Sequence, residues 1–370
     1  MFNRGIVLGK VWGILIEIDF SWFWIFLLVS WSLGFGVFPE LLPGFSTLLQ
    51  VSIGILAALF LFVSVLAHEM AHSLVARKFG LPVEKITLFL FGGISNLSDE
   101  PSTPKVEFFL AAAGPALSLV LAASFWAISL FPQSQPLQAL FSTLGLINFS
   151  LAIFNLLPGY PLDGGRILRS ILWATSKNLD RSTYWAAIGG QFIAGLIIGL
   201  GALQMILSFA LSGLWLILIG FYLFRNAKAS YEAYLLISEL RDKSVSDLAS
   251  SNFLAVESSA SIKDLWEELI EDGTGTFLLI EENQVRGVVR KASLSRVKES
   301  DLSMPIVSIS TPLDDGAYLR PGDSVVASLA KYEKYETNTL PIVQKSQILG
   351  ILRLEDIQIF LQSARKQRKD

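Results

Sequence analysis

Long apolar runs dominate the first 230 residues, with polar positions confined to short stretches between them. A helix needs about 20 apolar residues to cross a bilayer core of about 30 Å. The runs predict six spanning helices: about Phe20 to Phe38, Leu49 to Lys78, Lys105 to Phe131, Leu137 to Leu157, Tyr184 to Phe209 and Ser212 to Leu223. The sixth is only marginally long enough. Residues 5–18, before the first span, are β-branched and punctuated by glycine, with charges at Lys10 and Glu17, and read as short strands. Val83 to Leu90 is also strand-like and leads into Phe91-Gly92-Gly93-Ile94, where a sharp turn is expected. Past about residue 230 the pattern changes to short apolar runs alternating with charged segments, as expected of a soluble α/β tail.

Composition supports that division. The chain is 52% hydrophobic and 16% charged, with a mean hydropathy of +0.54. Only 12 of its 29 Lys and Arg fall in residues 1–230. With six spans and the N-terminus inside, all twelve lie on one side, and the outer loops near 38–50, 131–137 and 209–212 have none. The positive-inside rule then puts the N-terminus and the tail in the cytoplasm. A net charge of −3 offers no basic footprint for nucleic acid. The absence of cysteine excludes disulfides and thiol chemistry and agrees with a reducing compartment for the tail. No cleavable signal is expected, because the first apolar run lacks a small-x-small exit and other spans follow it.

The candidate chemistry lies at the end of the second span, in His68-Glu69-Met70-Ala71-His72. On a helix the two imidazoles share a face one turn apart and can hold one metal ion, with Glu69 beside them as a base. They are the only histidines in 370 residues. Without cysteine, a zinc site here uses imidazole and carboxylate alone, the donor class of catalytic sites. Catalytic zinc takes three protein ligands and one open position, so a carboxylate is needed. The candidates include Glu17, Asp19, Glu84, Asp99, Glu100, Glu107, Asp163 and Asp180. Asp163 is best placed: it follows the fourth span in Asn155-Leu-Leu-Pro-Gly-Tyr-Pro-Leu-Asp163-Gly-Gly-Arg166, where prolines and glycines break the helix. An ordinary helix cap is the other reading of Asp163.

These motifs, with Ala113-Gly114-Pro115 and Phe91-Gly92-Gly93, resemble the site-2 protease family of intramembrane zinc metalloproteases (family M50) over about residues 1–230. The resemblance implies one Zn2+ per chain bound by His68, His72 and Asp163, with Glu69 as catalytic base. It implies that Gly92 and Gly93 belong to a re-entrant segment that handles substrate. Asn155 is implied to lie close to the site, and Asn148 to line the substrate path. The implied substrates are single-pass membrane proteins already trimmed by another protease, cleaved within or near their membrane segments.

In the tail, residues 274–294 align without a gap on 337–357, pairing Thr276 with Thr339, Gly287 with Gly350 and Arg290 with Arg353. Each repeat predicts a helix (about Ile262 to Glu271; about Ser324 to Tyr335), two strands around a turn, and another helix. The pattern resembles a tandem pair of CBS domains, which implies an adenosine nucleotide ligand, regulation of the attached domain or homodimer formation. The resemblance is imperfect: Arg290 and Arg353 replace the expected hydroxyl residues, and only the second repeat keeps the ribose-binding acid, Asp356. The expected organisation is a protease domain at 1–230, a linker at 231–243, CBS units at 244–299 and 300–363, and a basic tail at 364–370. The expected fold is a multi-pass α-helical membrane protein with six transmembrane helices, a short N-terminal β region and a cytoplasmic α/β CBS pair. Two alternatives stand beside the protease: a CBS-gated membrane transporter and a catalytically inactive, client-binding relative.

Overall fold

The computed structural model describes residues 5–89, 92–97, 101–131, 134–208, 212–263, 276–281, 284–290, 297, 301–313, 316–345 and 347–367. The chain divides at Glu232 and Ala233 into two compact units.

In the first unit, β1 (Ile6–Val11) and β2 (Ile14–Ile18) form an antiparallel hairpin. Its turn residues Trp12 and Gly13 have φ of 49° and 78°, positive at both positions as in the type I′ turn that matches strand twist. β2 pairs in parallel with β3 (Val83–Phe89), and β3 pairs antiparallel with β4 (Gly92–Leu97), giving the order β1-β2-β3-β4. Alternate residues of β2 are buried. Ile14 and Ile16 pack with Ile86, Met70 and Leu110, each fully buried side chain contributing about 1.5–3 kcal/mol. The expected turn at Gly92 and Gly93 is corrected: both are strand residues, paired with Phe89 and Leu88. Leu90 and Phe91, between the two strands, lie outside the described residues.

Helix α1 (Ser21–Ser32) runs through a π-helical stretch, Leu33–Val37, into α2 (Phe38–Leu41). Then come α3 (Thr47–Lys78), α4 (Pro104–Ser129), α5 (Gln135–Asn155), α6 (Asp163–Ser176), α7 (Leu179–Ser208) and α8 (Ser212–Leu240). Ser46 caps α3 and Thr103 caps α4, whose first position is Pro104. Among the described residues, five stretches are long and apolar enough to cross a membrane: Ser21–Leu41, Thr47–Lys78, Pro104–Ser129, Gln135–Asn155 and Leu179–Leu207. The segment read as a sixth span is the start of α8, which continues to Leu240 and is not among the five. The linker expected at 231–243 is therefore helical as far as Leu240, because residues 227–240 are rich in Ala, Leu and Glu, which sustain a helix after the apolar run ends.

In the second unit, β5 (Leu254–Glu257), β6 (Thr276–Glu281), β7 (Gln284–Arg290) and β8 (Thr311–Pro312) form one sheet in that order. Helix α9 (Val325–Lys334) precedes a second hairpin of β9 (Thr339–Gln344) and β10 (Gln347–Arg353), and α10 (Leu354–Gln367) follows. The hairpins are related residue for residue: Leu279 pairs with Gly287 as Ile342 pairs with Gly350. Val256 also lies parallel to Leu279 as Leu319 does to Ile342. Leu278, Val288, Leu340, Ile342, Ile351 and Tyr332 share one core. Most of the helix expected at Ile262 to Glu271 lies outside the described residues.

Candidate metal centre

Helix α3 presents His68 and His72 one turn apart, with ring centroids 4.9 Å apart and exposures of 4% and 5%. Their Nδ1 atoms turn toward α4. His72 Nδ1 donates to the Leu110 carbonyl at 2.7 Å, and His68 Nδ1 lies 2.9 Å from the Ser118 hydroxyl. A carbonyl can only accept, so neutral His72 carries its proton on Nδ1 and keeps the Nε2 lone pair free. Both Nε2 atoms face Asp163 Oδ2, at 3.1 and 3.2 Å.

Asp163 is the first residue of α6. Helix α5 ends at Asn155, and the chain turns through residues 156–162 before α6 begins. Tyr160 N donates to the Ala186 carbonyl of α7 at 3.1 Å, and Leu162 N to the Gly159 carbonyl at 3.1 Å. The turn thus sets the carboxylate at a helix N-terminus, where unpaired N–H groups favour negative charge.

The three donor atoms lie within 4.8 Å of one another. Tetrahedral zinc with bonds of about 2.0–2.1 Å to such ligands separates its donors by roughly 3.3 Å, close to the Nε2–Oδ2 distances of 3.1 and 3.2 Å. Three protein donors also leave a position open for water or substrate. The residues fit the ion.

Glu69, half-buried, packs against the backbone of β4: a Cβ at Gly93 would stand 2.4 Å from Glu69 Cγ and 3.4 Å from Oε1. Glycine is required there for close approach rather than for a turn. Gly114 plays the same part on the other side, since its Cβ would stand 2.2 Å from His72 Nε2 and 2.5 Å from His68 Nε2. Sequence reasoning quoted Gly114 in a motif but missed this role, along with the Leu110 carbonyl and the Ser118 hydroxyl. The available signal was the four-residue spacing of 110, 114 and 118, which puts them on one helix face.

Among the other carboxylates considered as ligands, Glu17 pairs with Lys85 at 3.1 Å and Glu107 with Arg169. Asp19 accepts from Ser21 N at 2.8 Å, and Asp180 lies in the first turn of α7. Asp99, Glu100 and the Glu84 side chain lie outside the described residues. Asn148 is buried, with Nδ2 on Ser64 Oγ at 3.2 Å and on the Leu144 carbonyl at 2.9 Å. Ser64 is one turn before His68. The Asn155 amide donates to the Leu151 carbonyl at 3.0 Å. Asp356 is gripped by Arg353, whose Nε and terminal nitrogen each lie 2.8 Å from a carboxylate oxygen.

Comparison with known proteins places these features in context. The pattern of peptidase family M50 matches residues 56–138 and 131–198, and that of the CBS domain matches 245–300. A Synechocystis protein with the provisional name zinc metalloprotease sll0528 is 34% identical over 98% of this chain and 97% of its own length. A Mycobacterium tuberculosis protein, provisionally named zinc metalloprotease Rip3, is 30% identical over 95% of this chain and 91% of its own. Among solved structures, the site-2 protease from Methanocaldococcus jannaschii is 31% identical with a TM-score of 0.43, covering 61% of this chain and 94% of that one.

Proposed function

The chain belongs to peptidase family M50, the site-2 protease family, and is a multi-pass membrane zinc metalloprotease with a CBS domain; on that premise we propose that His68, His72 and Asp163 hold the zinc and that Glu69 is the base that drives peptide-bond hydrolysis. The carrying observation is the convergence of the three donor atoms within 4.8 Å, next to Glu69 in the same helix. Family membership removes the transporter alternative.

Zinc held there supplies Lewis acidity to an attacking water and to the peptide carbonyl. Glu69 takes the water's proton on a carboxylate oxygen and returns it to the leaving amine. The Leu110 carbonyl and the Ser118 hydroxyl keep the imidazole Nε2 atoms directed at the ion. Asp163 adds the negative charge that offsets part of the metal's.

The substrates are single-pass membrane proteins trimmed beforehand by another protease. His68 lies ten residues from Lys78, about 15 Å along the helix from its basic end. A substrate helix must unwind locally to be cleaved at that depth, since its amides are otherwise paired internally. The Gly92–Gly93 strand and Asn155 flank the approaching peptide. Asn148 contributes Oδ1, which is buried and meets no hydrogen-bond partner among the described residues. The start of α8 serves as the sixth span, with the N-terminus and the tail in the cytoplasm. The tail divides into CBS units at 244–299 and 300–363, which regulate the protease and pair two chains. An adenosine nucleotide binds there only if Asp356 exchanges Arg353 for ribose hydroxyls, which titration of the purified chain with AMP tests.

Activity is tested in proteoliposomes holding a single-pass substrate. Wild type cleaves it, whereas Glu69→Gln retains zinc and loses about 10²- to 10⁴-fold in rate. Cleavage by Glu69→Gln at the wild-type rate would reject Glu69 as the base. Absence of cleavage by zinc-loaded wild type would favour the inactive, client-binding alternative.

A further inference from the structure

Glu107 and Arg169 form an ion pair that takes no direct part in the donor set. Glu107, on α4, is fully buried, and the Arg169 side chain, on α6, is 8% exposed. Arg169 Nε donates to Glu107 Oε1 at 2.6 Å, and a terminal guanidinium nitrogen meets the same oxygen. The guanidinium also lies over the Tyr160 ring, 5.3 Å from its centroid. Burying two full charges is expensive, and replacing such a pair by apolar residues of similar volume is often neutral or stabilising. Stability alone is therefore a weak reason for this pair. Its position suggests a geometric one.

Glu107, Leu110, Gly114 and Ser118 occur at intervals of three, four and four, so they form one stripe along α4. Leu110 and Ser118 orient the two imidazoles, and Gly114 makes room for them. Glu107, at the end of this stripe, takes Arg169. Arg169 is six residues past Asp163 on α6, and Tyr160 is three residues before it in the turn. The guanidinium thus fastens both flanks of Asp163 to the helix that orients the histidines. The fork of Arg suits this task, since it can bond a carboxylate and stack on a ring at once.

We propose that the Glu107–Arg169 pair is a positioning clamp that sets Asp163 in the same frame as His68 and His72, and so sets zinc affinity. The proposal rests on the zinc reading above. Two variants of the full chain test it. Glu107→Leu with Arg169→Met removes both charges and keeps bulk; Arg169→Lys keeps the charge and loses the fork. Zinc affinity is measured by competition with a chromophoric chelator in detergent, beside thermal melting and substrate cleavage. The expected result is zinc binding about 10- to 100-fold weaker in the double variant, intermediate in Arg169→Lys, with melting close to wild type. In zinc-saturated Arg169→Lys, kcat falls while KM holds. Wild-type zinc affinity in a folded double variant, or in folded Arg169→Lys should the double variant not fold, overturns the clamp and leaves the zinc reading standing. A wild type that takes up no zinc overturns the zinc reading and the clamp with it.

Discussion

A methyl group at position 114 would stand 2.2 Å from His72 Nε2 and 2.5 Å from His68 Nε2, closer than real Cβ contacts come. Gly114→Ala is therefore expected to keep α4 helical, since Ala is the better helix former, but to weaken zinc binding by at least about tenfold. Metal content beside a thermal melt checks this. Gly93→Ala acts on the base instead, because its Cβ would stand 2.4 Å from Glu69 Cγ. Misplacing a reacting group by about 1 Å can cost about 10²-fold in rate, so Gly93→Ala should keep zinc and lose cleavage, as a kinetic assay with metal analysis would register. The zinc-binding candidates and Glu69 were legible in the sequence because each side chain type carries a chemical signature. Gly114 was visible only as a motif letter, and Gly93 only as part of an expected turn and of the segment that the resemblance assigns to substrate, since a glycine announces nothing about what it must avoid. The Leu110 carbonyl could not be read at all, because every residue has one.

At the scale of elements, the tail shows how far spacing carries. The 63-residue offset relates β6 and β7 to β9 and β10 at every boundary. Strand length and turn are local properties, so the alignment alone located both hairpins. The contacts tying helix to hairpin are not local. Tyr332 on α9 donates to the Leu352 carbonyl of β10 at 2.8 Å, inside the core, and burial raises its hydroxyl well above the ordinary tyrosine range. It stays protonated and donating at any working pH. Tyr332→Phe removes this buried hydrogen bond and should destabilise the tail by about 0.5–1.5 kcal/mol, measured as a lower denaturant midpoint. Two element boundaries were misread for physical reasons. Hydropathy ends at about Leu223 while helix propensity carries α8 to Leu240, and Gly92 and Gly93 are both strand residues, Gly93 being a glycine because close approach to Glu69, like a turn, excludes a side chain.

For the whole molecule, the proposed arrangement in the membrane rests on charge. The outer loops expected near 38–50 and 131–137 contain no Lys or Arg, whereas α3 ends in Arg77 and Lys78. The chain has no cysteine, so one introduced thiol reports its own side. Ser134→Cys, at a helix start where the side chain makes no capping bond, should react with a membrane-impermeant maleimide on intact cells. Ser251→Cys in the tail should react only after lysis. The reverse pattern would invert the topology and contradict the positive-inside argument.

The most direct measurement is the zinc content of detergent-purified wild type, Glu69→Gln and Asp163→Ala by elemental analysis. A chain in which His68, His72 and Asp163 bind the metal and Glu69 does not should hold about one zinc in wild type and in Glu69→Gln, and lose it in Asp163→Ala. A folded wild type without zinc, or Asp163→Ala with wild-type content, would contradict it.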